Sequence, residues 1–474
     1  MASKNVQTPD GVVARKSNNG SESTYEWLSN GIKDGVYTLL RPVVAYLAPD
    51  PYTHTFQSRP KMHAKPAHLS RVTMTEMVLP SYSDTRGFMY AGVLLGWIDI
   101  AAGIAAKRHA VHPCVTRSVD DVHFLQPIKT GDMVVIQASV NKAWKTSMEV
   151  GVRVETENPL SGQRRFVAHA YMTFVAMRPK STAKTSLGRA IQDHEPVSVP
   201  QIIPVTAIEK VRFNMAEKRR NRRFEEKKRP TQQHLERMRE KMREWSQGLR
   251  HETVSDAVVV QHPVLMTEPD NDGKETRALT PPPPLRPRRS LIPERETPTE
   301  KSMENSFAEM VELVLPQHAN TLHITFGGKI MQWMESCCIA SASRHARSYT
   351  LTASIDSLQF IQPTHVGEVV TIRSMVSRAF RSSIEVYVVV EGENLQTGEI
   401  YFTNDAFFTI VAVDAESVPI EVPKVVPHNQ EEKNLYEGSE LRRKKRLQER
   451  RELVERESPA VSSEDLMTSP VVPR

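Results

Sequence analysis

Tyr90-Ala-Gly-Val-Leu-Leu-Gly-Trp-Ile-Asp-Ile-Ala-Ala-Gly-Ile-Ala-Ala-Lys-Arg-His109 is apolar almost all the way round a helical wheel, and Asp99 is its only acid. A helix with no polar face has to be buried on every side. Gly87 and Gly92 bracket its start. The stretch returns 236 residues later: Gly92 matches Gly328, Trp97 matches Trp333, Arg108-His109-Ala110 matches Arg344-His345-Ala346, and Asp99 meets Glu335. The register runs without a gap from Val78-Leu79-Pro80 and Val314-Leu315-Pro316 to Val175-Ala176 and Val411-Ala412. A period this long means a duplicated domain rather than a solenoid.

After the helix, Val134–Val140, Ser147–Glu155 and Phe166–Ala176 are rich in β-branched residues, with turns at Lys129-Thr-Gly-Asp132 and Asn158-Pro-Leu-Ser-Gly162. Such runs are strands. The fold class is therefore α+β, two tandem domains in which an antiparallel sheet wraps one long buried helix. The expected organisation is a mostly disordered arm over 1–66, a first domain over 67–181 and a basic helix with a Pro-rich linker over 182–300. A second domain follows over 301–416, then a C-terminal basic helix and tail over 417–474. Ile208–Gln247 is dense in Lys, Arg and Glu and reads as one long charged helix, and Glu431–Glu457 reads as a second. The linker is the run from Leu279 to Pro287.

Composition sets outer bounds. A chain of 474 residues with 25% charged and 6% aromatic residues allows two or three domains, each able to bury a core. Cys114, Cys337 and Cys338 fit no zinc or disulfide spacing, which points to a reducing compartment, with the adjacent pair serving packing. No apolar run is long enough for a membrane span, since Val36–Ala48 is interrupted by Arg41-Pro42. Asp10, Glu22 and Glu26 argue against a mitochondrial presequence, so a cytoplasmic location is expected, with a mitochondrial one the alternative. The net charge of +6 is regional, concentrated at Arg219, Arg220, Arg222, Arg223, Lys227, Lys228 and Arg229 and at Arg442, Arg443, Lys444, Lys445 and Arg446. Interspersed glutamates and missing aromatics make these helices packed on the domains, so no nucleic acid partner is expected. His109 and His345 close their helices, where an imidazole suits the dipole and the packing.

Each copy carries its own phrases in order: Gly96-Trp-Ile-Asp99, Cys114-Val-Thr-Arg-Ser-Val-Asp-Asp121 and Ser147-Met-Glu-Val150 in the first, and Val311-Glu-Leu-Val-Leu-Pro-Gln-His-Ala-Asn320, Thr325-Phe-Gly-Gly328 and Trp333-Met-Glu335 in the second. They resemble the acyl-CoA thioesterases built from two tandem hotdog domains, nearest the branch of the cytosolic acetyl-CoA hydrolase and its long-chain relative. The likeness reaches weakly into the trailing helix at Ala216-Glu-Lys-Arg-Arg220. It departs after residue 416, where those relatives carry a lipid-transfer (START) domain and this sequence leaves no room for one. The resemblance implies hydrolysis of acyl-CoA to fatty acid and coenzyme A, no added cofactor or metal, and a higher homo-oligomer of double-hotdog chains.

A lone carboxylate on an apolar helix is either a structural acid or a functional one. The resemblance makes Asp99 the general base, or the nucleophile, of a site between the two hotdogs. Backbone N–H groups at Gly327-Gly328 would hold the oxyanion. The family's amide, four residues before Gly328, is Ile324 here, and its first-repeat counterpart is Phe88. Asn320, His323 and Thr325 flank that gap, and Asn320 is the candidate to replace the amide. Coenzyme A contacts are implied at Arg117, Ser118, Val119, Thr146, Ser147, Met148, Ala353, Ser354 and Ile355, with Arg220 reaching a phosphate. Two functions stay open: a thioesterase, favoured by Asp99 and the Ser-Met-Glu-Val phrase, and an acyl-CoA-binding or scaffold protein without turnover, favoured by Ile324 and Phe88.

Overall fold

A computed structural model describes residues 63–184, 190–227, 232–255 and 299–457, so the N-terminal arm to residue 62 and the Pro-rich linker lie outside it. The first repeat runs β1 (Val72–Met77), α1 (Ala91–Ala110), β2 (Cys114–Val119), β3 (Val122–His123), β4 (Met133–Ala143), β5 (Ser147–Glu157) and β6 (Arg164–Lys184), with β7 (Ala190–Pro196) pairing back on β6. Two helices follow, α2 (Ala207–Lys227) and α3 (Gln232–Ser255). The second repeat runs β8 (Ala308–Leu313), α4 (Gly327–Ala346), β9 (Tyr349–Ile355), β10 (Leu358–Gln359), β11 (Val369–Ala379), β12 (Ser383–Asn394) and β13 (Glu399–Val413), and α5 (Gln430–Glu457) trails it.

Each repeat is a hotdog, with an antiparallel sheet curled around its helix. The helix is buried because it offers nothing else: Leu94, Leu95, Ile98, Ala101, Ala102 and Ala105 are each at most 2% exposed. The two sheets trade edge strands. In the first the order is β10-β2-β6-β5-β4-β1 and in the second β8-β11-β12-β13-β9-β3, so each ends on a short strand from the other repeat. His123 pairs with Ser354, and Gln359 with Ser118. An edge strand left bare would expose unpaired N–H and C=O groups, and this exchange covers both.

The buried helices cross at glycines. A Cβ on Gly328 would lie 2.7 Å from Gly96 Cα and 2.9 Å from Asp99 Cβ, and one on Gly92 would lie 2.8 Å from Gln332 Cα. Only glycine lets the backbones come this close. Cys114, Cys337 and Cys338 are free and buried, and His109 and His345 each hold a proline carbonyl, Pro200 O and Pro423 O, at 2.7 Å.

Where the sequence reading expects one helix over Ile208–Gln247, the described residues hold two helical stretches, α2 and α3, and 228–231 lie outside the described residues. Each helix serves a different repeat. Arg239 and Arg243 of α3 reach Asp405 and Glu391 of the second sheet at 2.8 Å. On the first sheet, α2 docks through Arg219 to Glu149 (2.5 Å) and Arg223 to Asp120 (2.7 Å), and α5 repeats the device with Arg442 to Glu385 (2.7 Å) and Arg446 to Asp356 (2.6 Å). The neighbouring arginines stack alike, Arg220 over Trp144 and Arg443 over Phe380. Each duplicated unit thus includes its trailing helix, with the spacing shortened between sheet and helix. Burial pushes Asp120 and Asp356 up to about 6, against the pull of Arg223 and Arg446. At Glu385 burial raises the carboxyl too, but Arg442 and Arg446 outweigh it and hold it low.

Removing one partner of a buried pair leaves a desolvated charge. Arg446→Ala strands Asp356 and leaves Glu385 to Arg442 and Ser377, and is expected to cost about 3–5 kcal/mol, read as a lowered midpoint in thermal or urea unfolding. The Arg381–Glu421 pair, 85% and 80% exposed, provides the control: Arg381→Ala should leave the midpoint unmoved.

Candidate active site

The helix crossing makes two related carboxylate sites. Asp99, 3% exposed, accepts hydrogen bonds from Thr116 Oγ1 at 2.6 Å and from the N–H of Gly328 at 2.8 Å. Glu335, 2% exposed, accepts them from Thr352 Oγ1 at 2.6 Å, Ala91 N–H at 3.0 Å and Gly92 N–H at 2.5 Å. Every group has its counterpart 236 positions away. Each acid thus sits on one repeat's helix and faces the first turn of the other's, where the dipole favours negative charge. Burial raises both carboxyls above their ordinary values, and the threonine and backbone donors pull them partly back.

One methylene separates the two sites. Glu335 reaches both of the first two helical amides, Ala91 and Gly92. Asp99, shorter, takes only the second, and among the described residues the Gly327 N–H makes no hydrogen bond. The expectation that both glycine amides are open to substrate is corrected here: Gly328 spends its N–H on Asp99, and Gly327 keeps its own.

A cavity of about 400 Å³ opens beside Asp99. Helix α1 lines it with Asp99, Gly103 and Lys107, β2 with Cys114, Thr116 and Arg117, and the second repeat with Asn320, Ile324, Gly327 and the run from Phe360 to Thr364. Cys114 is no nucleophile, because burial pushes its thiol up to about 12. In the first repeat the counterparts of Asn320 and Ile324 are Asp84 and Phe88, and Arg86 engages both. Arg86 is paired with Asp84 at 3.1 Å, lies over the rings of Phe88 and Tyr349 at 5.1 and 4.5 Å, and donates to Asp414 O.

The groups flanking the missing amide divide. Ile324 is 9% exposed and lines the cavity. Asn320 lines it too, and its Oδ1 accepts the N–H of Leu322 at 2.8 Å and of Ile324 at 3.2 Å. Those two donors identify the oxygen, leaving Nδ2 as the donor toward the cavity. The first-repeat counterpart, Asp84, has no such donor. Thr325 is turned to Thr364, with Oγ1 atoms 2.7 Å apart, and His323 does not line the cavity.

Of the expected coenzyme A contacts, Arg117 lines the cavity and Ser147 pairs with Val175, which lines it as well; Thr146 O accepts the neighbouring Ala176 N–H. Ser118, Val119 and Met148 are buried within the first sheet, at 6%, 2% and 0% exposure, the first two where β10 pairs with β2. Ala353, Ser354 and Ile355 border the strand exchange at β3, where Ala353 O accepts the Phe124 N–H, and they do not reach the Asp99 cavity. Arg220 lies over Trp144 at 4.5 Å and Phe224 at 5.3 Å. The sequence reading missed Thr116. Its signal was available: Thr116 and Thr352 stand at equal places in the two copies.

Comparison with known proteins agrees with this architecture. The family model described as "Thioesterase superfamily" matches residues 86–162 and again 322–399. "Acyl-coenzyme A thioesterase 11" of Mus musculus is 32% identical, over 80% of this chain and 53% of its own length. "Cytosolic acyl coenzyme A thioester hydrolase" of Rattus norvegicus is 25% identical, over 79% of this chain and 82% of its own. "Uncharacterized acyl-CoA thioester hydrolase YkhA" of Bacillus subtilis is 36% identical, over 33% of this chain and 91% of its own. The chain spans about half the length of the first of these relatives. The two matched segments carry the two helices that meet at Asp99 and Glu335, and by sequence and architecture the chain belongs to the thioesterase superfamily.

Proposed function

We propose that the chain is an acyl-CoA thioesterase, hydrolysing fatty acyl-CoA to free fatty acid and coenzyme A at Asp99. The observation that carries this reading is the buried Asp99 carboxylate set at the partner helix's first turn, beside a cavity and an unengaged Gly327 N–H. Relatives named as acyl-CoA thioester hydrolases support the substrate class.

Thr116 and Gly328 hold both Asp99 oxygens in place. The ionised carboxylate takes a proton from water as that water adds to the thioester carbonyl carbon. The tetrahedral oxyanion rests on the Gly327 N–H at the helix start and on Asn320 Nδ2 from the loop before it. Collapse breaks the carbon–sulfur bond, and the proton held by Asp99 passes to the departing sulfur. Ile324 supplies no polar group to this sequence, so Asn320 carries the role of the absent amide. Coenzyme A is bound from the Arg117 side, with Thr146 and Ser147 at the neighbouring strand end.

The working unit is the pair of hotdogs, 67–181 and 301–416, each with its trailing helix. Since the two copies pair within one chain, the smallest complete site needs a single chain, and further homo-oligomers add copies of it. No helix among the described residues is long and apolar enough to cross a membrane. A cytoplasmic location is supported by the relative named as cytosolic.

Thiol release from acyl-CoAs tests the reading. Asp99→Asn, nearly isosteric, should lower kcat at least about a hundredfold; undiminished turnover would sink it, and tight binding without turnover in the wild type would establish a binding protein instead. The pH profile of kcat/KM supplies a second check. Asp99 works ionised and its carboxyl is raised, so activity should be lost on the acid side at a higher pH than an ordinary carboxylate would give. Ile324→Asn restores the amide, and is expected to raise kcat by about tenfold or more.

A further inference from the structure

The cavity continues past Asp99 along α1. Gly103 and Lys107 follow at one-turn intervals on the same helix face, flanked by Ile100 and Ile104. Ile100 is 42% and Ile104 37% exposed, so this ridge of an otherwise buried helix opens into space. A Cβ on Gly103 would meet nothing nearer than Phe174 at 3.7 Å. Close packing therefore does not demand glycine there, unlike at Gly92 and Gly328, and glycine weakens a helix interior.

The duplication supplies an internal comparison. The α4 counterparts of Ile100, Gly103, Ile104 and Lys107 are Ser336, Ile339, Ala340 and Ser343. Bulk has moved from the rim into the groove: Ile339 packs on the core, and Ser343 Oγ lies 3.2 Å from Thr350 Oγ1 across its far end. On α1 the same place is empty and walled by apolar atoms over about 12 Å from Asp99 to Lys107. The second repeat adds polar groups to the lining, Asn320, Gln362, Thr364 and Thr403. The buried Thr403 Oγ1 has no hydrogen-bond partner among the described residues. Those groups suit the amides of pantetheine, and the α1 groove suits a hydrocarbon chain.

We propose that Gly103 is a specificity-determining residue: by lacking a side chain it opens the α1 groove to the acyl chain, which Ile339 fills in the second repeat. The proposal rests on the acyl-CoA reading of the Asp99 site.

Gly103→Ile installs the second repeat's own residue, and Gly103→Ala is the smaller step in the same direction. On the full chain, kcat/KM and Kd are measured for acetyl-CoA and octanoyl-CoA, with folding checked by circular dichroism. The octanoyl-to-acetyl ratio of kcat/KM should fall about a hundredfold in Gly103→Ile, the discrimination that a few excluded methylenes produce in an apolar pocket. A smaller fall is expected in Gly103→Ala. An unchanged ratio in folded Gly103→Ile overturns the proposal, as does an unchanged ratio in Gly103→Ala should the larger variant not fold. If the wild type binds octanoyl-CoA in preference to acetyl-CoA without turnover, and Gly103→Ile loses that preference, the groove stands and the hydrolase reading falls. A wild type that neither binds nor cleaves octanoyl-CoA overturns the groove.

Discussion

Everything at the centre of this molecule depends on how closely two buried helices approach. Gly328 lies against Gly96, and a methyl group on Gly328 would overlap both Gly96 and Asp99. Backbone contact at that point lets a carboxylate on one helix reach the first-turn amide of the other. A charge so deeply buried is costly unless donors satisfy it, and here the partner's helix start provides them. The site and the domain interface are therefore one contact, and the fold cannot lose one without the other.

Duplication built that contact twice, and small side-chain changes then separated the two copies. Glu335 is longer than Asp99 by one methylene, enough to engage both amides where Asp99 engages one. Arg86 stacks on Phe88 in the first repeat, while Ile324, the counterpart of Phe88, lines a cavity with Asn320. The threonines, glycines and strand exchange are shared, so the frame persists where the chemistry diverges.

The charged helices tie the frame together. Arginines on α2 and α5 descend onto acids that the sheets bury, Glu149 and Asp120 in one copy, Glu385 and Asp356 in the other. The two units also cross-link, since Lys445 of α5 reaches Asp121 of the first repeat at 3.1 Å. Buried ion pairs are poor sources of net stability but strict about geometry. The cationic runs on these helices are thereby partly neutralised inside the protein, in accord with helices that dock on their own domains.

By itself the sequence determined the repeat, the buried helix, the strands around it and the standing of Asp99, because hydrophobic periodicity and duplication are local properties that a single chain displays. Arg446 and Glu385 could not be matched that way, nor could a helix over Ile208–Gln247 be divided between two sheets; the repeat marks Thr116 as a shared residue but not what it bonds. Strand residues such as Met148 and Ile355 matched a functional phrase yet face the core, since a strand's side chains alternate and the phrase does not say which face is inward. Only the tertiary structure decided which amide each acid consumes, and that, of the four helix-start amides, Gly327's makes no hydrogen bond among the described residues. It also decided that space remains at Gly103 and is filled at Ile339. Those are distances between segments more than two hundred residues apart, set by how two backbones cross, and no spacing within the chain encodes them.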